Sequence, residues 1–99
     1  MEHGRIPNSL KKFRKSVGFT QKEVASILRL QKSSCISRWE KGITLPNLKY
    51  VIELSILYRT LPQALYGDFW DTLKSEILVR EHELLAQQES IISSEKYYL

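Results

Sequence analysis

The chain has 99 residues, 42% of them hydrophobic, a length that supplies one packed core and is too short for two. Charged residues make up 26%, aromatics 10%, and Gly and Pro together seven positions, which excludes a disordered or collagen-like chain. A single cysteine, Cys35, excludes an internal disulfide and a cysteine-built zinc site, so a reducing cytosol is the expected setting. The opening MEHGRIPNSLKK lacks the apolar run of a signal peptide, and no window approaches 18 uninterrupted apolar residues. A soluble, cytoplasmic protein without a membrane role is therefore expected.

The net charge of +4 is unevenly placed. Residues 1–60 carry twelve Lys/Arg against four Glu, a local charge of +8, whereas residues 61–99 carry three Lys/Arg against seven acids, a local charge of −4. A basic half suits a polyanion, because each phosphate neutralised releases condensed counterions. An acidic half is repelled from DNA and belongs to another task.

Every periodic segment repeats its apolar residues at three and four positions, so the expected class is all-α. The first helix is predicted from Ser9 to Val17, capped by Asn8 or Ser9, with Leu10, Phe13 and Val17 inward and Gly18 as its left-handed stop. Thr20 and Glu23 form a T-x-x-E capping box that starts the second helix, whose Val24, Ala25 and Leu28 face inward before it ends near Leu28 or Arg29. The third begins with Ser33 or Ser34 as N-cap and runs to about Lys41, with Ile36 and Trp39 inward and Gly42 ending it. After Pro46, Asn47 caps the fourth, whose Leu48, Val51, Leu54, Leu57 and Tyr58 make a wide apolar face. Pro62 and Gly67 bracket a short fifth helix, PQALY, with Leu65 and Tyr66 packed down. From Asp68 to about Ser90 there is neither Gly nor Pro, which predicts one long helix, followed by a fraying tail.

The order of parts is distinctive: Arg14, then Gly18-Phe-Thr20-Gln21-x-Glu23-x-Ala25, a serine-bearing turn, and Ile36-Ser-Arg-Trp-Glu-Lys-Gly42 with Pro46 beyond. This combination is similar to the Xre-type, lambda-repressor-like helix-turn-helix family of DNA-binding regulators, over roughly residues 9–66. The resemblance implies a five-helix DNA-binding bundle followed by a long C-terminal helix, with helices two and three as the helix-turn-helix and helix three in the major groove. It divides the chain into a flexible arm at 1–8, the DNA-binding domain at 9–67 and a dimerisation or partner-docking element at 68–99. Two departures stand out. Arg29 occupies the place where the family usually has Gly, and LRLQKSSC is one residue longer than the commonest turn. The extra residue either lengthens the turn or starts helix three earlier.

The resemblance gives Gln21 a phosphate contact and a brace on helix three, against the plainer reading of a solvated first-turn residue. Ser33, Ser34, Ser37 and Arg38 lie on or before the outer side of helix three, where hydroxyls suit phosphate or base edges and Arg suits guanine; Ser33 and Ser34 are otherwise simple caps. Lys32 is expected at phosphate, as are Lys41, the amide of Gly42 and Asn47 in the loop that the family lays along the DNA backbone. Arg14 and Glu40 occupy positions that resemble the family's structural ion pair. Trp39, Phe13, Phe19 and Leu54 are expected as core, and Cys35 as a small packed residue without chemistry.

An enzyme is not expected, since His3 and His82 stand apart, no glycine-rich phosphate loop or nucleophile elbow is present, and no cofactor or metal is implied. In the last helix Trp70, Leu73, Ile77, Leu84 and Ile91 form one stripe, interrupted by Arg80 and Gln87. Its first turns, through Ile77, are expected to pack on the bundle. Leu78, Leu84, Leu85, Ile91 and Ile92 then remain as an apolar surface for a homodimer or, alternatively, another protein. The expected function is a sequence-specific double-stranded DNA-binding regulator, a repressor on a palindromic operator; the alternative is an antitoxin-like interaction module using the last helix.

Overall fold

A computed structural model describes residues 4–95, with side chains through Glu89. Within them the chain forms six helices and no strand: α1 (Leu10–Val17), α2 (Gln21–Ile27), α3 (Ser34–Glu40), α4 (Leu48–Leu57), α5 (Pro62–Leu65) and α6 (Gly67–Glu95). No helix among the described residues is long and apolar enough to cross a membrane.

Helices of four to ten residues are too short to persist alone, so the first five depend on their caps and shared core. That core is Leu10, Val24, Ala25, Leu28, Ile36, Trp39, Leu54, Tyr58, Leu65 and Tyr66, with Phe13, Val17, Phe19, Tyr50 and Leu57 packed partly buried around it. The Thr20–Glu23 capping box is closed in both directions: Glu23 N donates to Thr20 Oγ1 at 3.1 Å and Thr20 N to Glu23 Oε1 at 2.8 Å. Asn47 caps α4 by accepting from Tyr50 N at 3.1 Å. Ser9 makes no side-chain cap; the contact comes from Asn8, whose Oδ1 accepts from Leu10 N at 3.1 Å.

The first four helices end in the same way. In each, a residue with positive φ donates to the carbonyl three residues back, and the next amide donates to the carbonyl five residues back, which is the Schellman pattern. The positive-φ residues are Gly18, Arg29, Gly42 and Arg59, and the second bonds are Phe19 N to Arg14 O, Leu30 N to Ala25 O, Ile43 N to Arg38 O and Thr60 N to Ser55 O. Two of these four stops therefore hold an arginine in the left-handed region, at φ of 59° and 56°, where a Cβ is strained. Gly42 is under a second constraint, since a Cβ there would lie 2.3 Å from the backbone oxygen of Ile6.

Three expectations are corrected. Leu48 does not join the core: it opens α4 one turn before the residues that meet the other helices, and it is 73% exposed. Gly67 follows the end of α5 as expected and opens α6, which continues through Ser93–Glu95, part of the tail expected to fray. The first turns of α6 do not pack down through Ile77. Phe69, whose ring meets Tyr66 edge-on at 6.3 Å, packs against the core, while Trp70, beside Gln63 and Ala64, and Leu73 and Ile77 beyond it are 47%, 46% and 54% exposed. With no break after Gly67, α6 leaves the bundle as a straight rod, giving extents of 64 × 31 × 23 Å and a radius of gyration of 19.7 Å, against about 13 Å for a compact chain of this length. Leu78, Leu84 and Leu85 are exposed along it. The side chains of Ile91 and Ile92, the remainder of the tail and His3 lie outside the described residues.

Replacing Arg29 or Arg59 by Gly relieves the strained φ and should raise the unfolding free energy by about 0.5–1 kcal/mol each, whereas Gly42→Ala should lower it by about 2 kcal/mol or more, as read from urea midpoints. The buried hydroxyls of Tyr58 and Tyr66 have no hydrogen-bond partner among the described residues, and burial pushes the Tyr66 phenol up to about 12 and Tyr58 higher still. A phenol whose folded pKa is raised contributes stability that is complete below the unfolded value near 10 and is lost as pH rises beyond it. Thermal melts of the parent should therefore fall off above about pH 10. Tyr66→Phe should melt no lower than the parent at neutral pH and show a shallower alkaline loss.

Candidate nucleic-acid interface

Glu40, at the last turn of α3, gathers three helices on one carboxylate. Arg14 of α1 donates from Nε to Oε2 at 2.6 Å and from Nη2 to Oε1 at 3.2 Å, and Gln21 of α2 donates from Nε2 to Oε1 at 3.0 Å. Arg14 spends a further donor on the carbonyl of Phe19 at 2.9 Å, inside the α1–α2 connection. The two charged side chains are 10% and 4% exposed. Hydrogen bonding to Glu40 is the main cause holding the Arg14 guanidinium above its ordinary pKa, with burial opposing it. The capping box explains why Gln21 reaches this point, since starting α2 at Thr20 puts Gln21 in its first turn, facing the end of α3.

The C-terminal carbonyls of α3 are held from the other side. Asn8 Nδ2 lies within hydrogen-bond distance of the carbonyls of Trp39 (3.2 Å) and Glu40 (3.3 Å), Arg5 Nη1 donates to Lys41 O at 3.1 Å, and Ile6 N donates to Gly42 O at 2.9 Å. Residues 5–8, part of the segment expected as an arm, thus cap the helix. No local signal announces this, because the partners are more than 30 residues away.

The turn resolves the register left open by the sequence. Leu28 through Ser33 connect the helices, α3 starts at Ser34, and the additional residue lies in the turn. Ser33 precedes the helix with αR backbone and makes no side-chain cap. On α3, Ile36 and Trp39 are buried, while Ser34, Arg38 and Lys41 are exposed and Ser37 half-buried, so the outward stripe recurs at three and four positions. Lys32 is exposed just before the helix, and Asn47 is exposed with its side-chain oxygen engaged in capping. Cys35 is half-buried against the core. Gly42 ends α3 as expected; it is buried, and its amide donates to Trp39 O at 3.0 Å.

Of the expected site residues, the fold brings together Gln21, Arg14 and Glu40 in one cluster and Ser34, Ser37, Arg38 and Lys41 on one helix face. Of the two carboxylates of α2 and α3, Glu40 is paired with Arg14 inside the cluster and Glu23 lies in the capping box at the start of α2, so the exposed charged groups at the outward side of α3 are Arg38 and Lys41. Glu40→Ala, which leaves the Arg14 guanidinium buried and unpaired, should lower the unfolding free energy by about 3–5 kcal/mol in urea titrations, far beyond the effect of an exposed pair.

The helix-turn-helix family model HTH_3 matches residues 10–65, more than half of the chain and the whole of the five-helix bundle from α1 to α5. Comparisons with curated proteins and with solved structures give no match. The match spans the elements just described: the capped α2, the turn, and α3 fixed by Glu40. The chain belongs to the Xre-type, lambda-repressor-like helix-turn-helix family, whose fold is that of DNA-binding transcription regulators.

Proposed function

We propose that this chain is a sequence-specific double-stranded DNA-binding regulator that represses transcription by occupying a palindromic operator as a dimer. The observation that carries the reading is α3, fixed at its far end by Arg14, Gln21 and Glu40, with Ser34, Ser37 and Arg38 turned away from the core. In the major groove a serine hydroxyl reads either base type or bonds phosphate, and the Arg38 guanidinium matches the O6/N7 edge of guanine. Lys32, Ser33, Lys41 and Asn47 flank α3 and meet phosphates, which fix register without reading sequence. Gln21 spends one hydrogen of its amide on Glu40, and the second is available to a phosphate oxygen. The cytoplasm is the compartment in which such a regulator works.

The dimer is supported by α6. Its exposed apolar stripe runs from Trp70 through Leu73, Ile77, Leu78 and Leu84 to Leu85, longer than an unpartnered helix in water accounts for. A two-fold pair places two recognition helices about 34–36 Å apart and doubles a short reading frame. The net negative charge of residues 61–99 keeps the pairing element off the DNA. The same stripe also supports a second reading, an antitoxin-like module that docks another protein through α6.

Selection from a random duplex library at about 150 mM salt should enrich a palindrome, and the mass in solution should be twice 11.6 kDa. Arg38→Ala should weaken the enriched duplex by about 1–3 kcal/mol if Arg38 reads a base. Leu84→Glu combined with Leu85→Glu should give a monomer with weaker operator binding. A monomeric parent enriching a half-site would contradict the dimer. Absence of enrichment together with a stoichiometric co-purifying protein would favour the second reading.

A further inference from the structure

The turn between α2 and α3 reverses at Arg29, swings Leu30 back toward the core, and then presents Lys32 on the outside. Between this turn and the outer side of α2 lies an open groove whose polar lining includes Lys22, Ser26, Lys32, Ser33 and Ser34, over a floor of Ala25 and Leu30. Lys22 and Ser26 share one face of α2 because they are one turn apart, and Lys32 and Ser33 come from the opposite wall. The lining holds two ammonium groups, three hydroxyls and no carboxylate.

Two other exposed lysines of the bundle lie over aromatic rings, Lys12 over that of Phe13 and Lys49 over that of Tyr50. Lys22 and Lys32 form no ion pair and no ring contact among the described residues. Two like charges on one groove with an apolar floor repel each other, and an anion between them removes that repulsion and accepts from the hydroxyls as well. A tetrahedral phosphate, with oxygens for both ammonium groups and for Ser26 and Ser33, satisfies this donor set better than a flat base edge.

We propose that this groove is a phosphate site for the DNA backbone, held between Lys22 and Lys32, an inference that rests on the DNA-binding reading given above. Lys22 thereby becomes a DNA-contacting residue, and the phosphate that Lys32 meets is shared with it. The longer turn has a purpose on this account, since it carries Lys32 to the wall facing Lys22. The site anchors the duplex beside α3 independently of sequence.

The test is a salt series of fluorescence anisotropy titrations with the full chain, using the enriched duplex and a random one. Lys22→Gln should weaken both duplexes by the same factor and flatten the slope of log K against log salt by part of the value of about 1 that one whole phosphate contributes. Lys32→Gln should do the same, and the double variant should lose less than the product of the single losses, because both lysines hold one phosphate. A Lys22→Gln protein with the parent's affinities and slope would overturn the site. Multiplicative losses would overturn the sharing. Saturable binding of inorganic phosphate that Lys22→Gln abolishes, with the DNA slope unchanged, would assign the groove to a free anion and overturn the duplex assignment. A parent that binds no duplex at all would overturn the DNA reading and this site with it.

Discussion

Glu40 is an ionised carboxylate taken almost out of water, and the surrounding fold is arranged to compensate it. Desolvating a carboxylate and a guanidinium costs several kcal/mol per ion, which is recovered only when geometry is close and the remaining lone pairs are met. Here Arg14 contributes two donors, Gln21 a third, and Arg14 itself is held by the carbonyl of Phe19. An apolar trio of similar volume would pack at least as stably. What it would not do is fix direction, because hydrogen bonds to one carboxylate set the mutual angles of α1, α2 and α3 where dispersion contacts tolerate rotation.

Direction matters because α3 has only seven residues and, in the function proposed above, meets DNA through a few of them. A rotation of one residue about its axis would replace the hydroxyls and guanidinium on the outward side by Cys35 or Trp39. The helix is secured against this at both walls of its last turn, by the Glu40 cluster on one and by Asn8, Arg5 and Ile6 on the other. Its first turn has no side-chain cap and is held by the burial of Ile36 in the core, with Cys35 packed beside it.

Much of this was legible from local chemistry. Thr20 and Glu23, Asn47, Gly18 and Gly42 are each a sufficient signal for a helix end, because the stabilising bonds lie within five residues. The family resemblance placed Arg14, Gln21 and Glu40 in their roles, which spacing alone does not. Other features were not legible because their causes are distant or absent from the sequence pattern. Arg59 carries no mark of a left-handed stop, and Arg29 is marked only by standing where the family usually has Gly. Leu48 and Trp70 fit the apolar periodicity of their helices yet stay exposed, because periodicity states which face is apolar and not where the neighbouring helix ends. Asn8 read as a helix cap, which it is, but its second task on α3 depends on a contact that only the folded chain makes.

The Glu40 cluster sets the direction of α3, and its effect on stability is secondary. The most direct test replaces the whole ion pair at once, Arg14→Met with Glu40→Met, and measures affinity for the enriched duplex relative to a random one alongside a urea titration. The account predicts a cooperatively folded protein, within about 2 kcal/mol of the parent, whose preference for the enriched duplex falls by about tenfold or more. A double variant that folds equally well and keeps the parent's preference would contradict it.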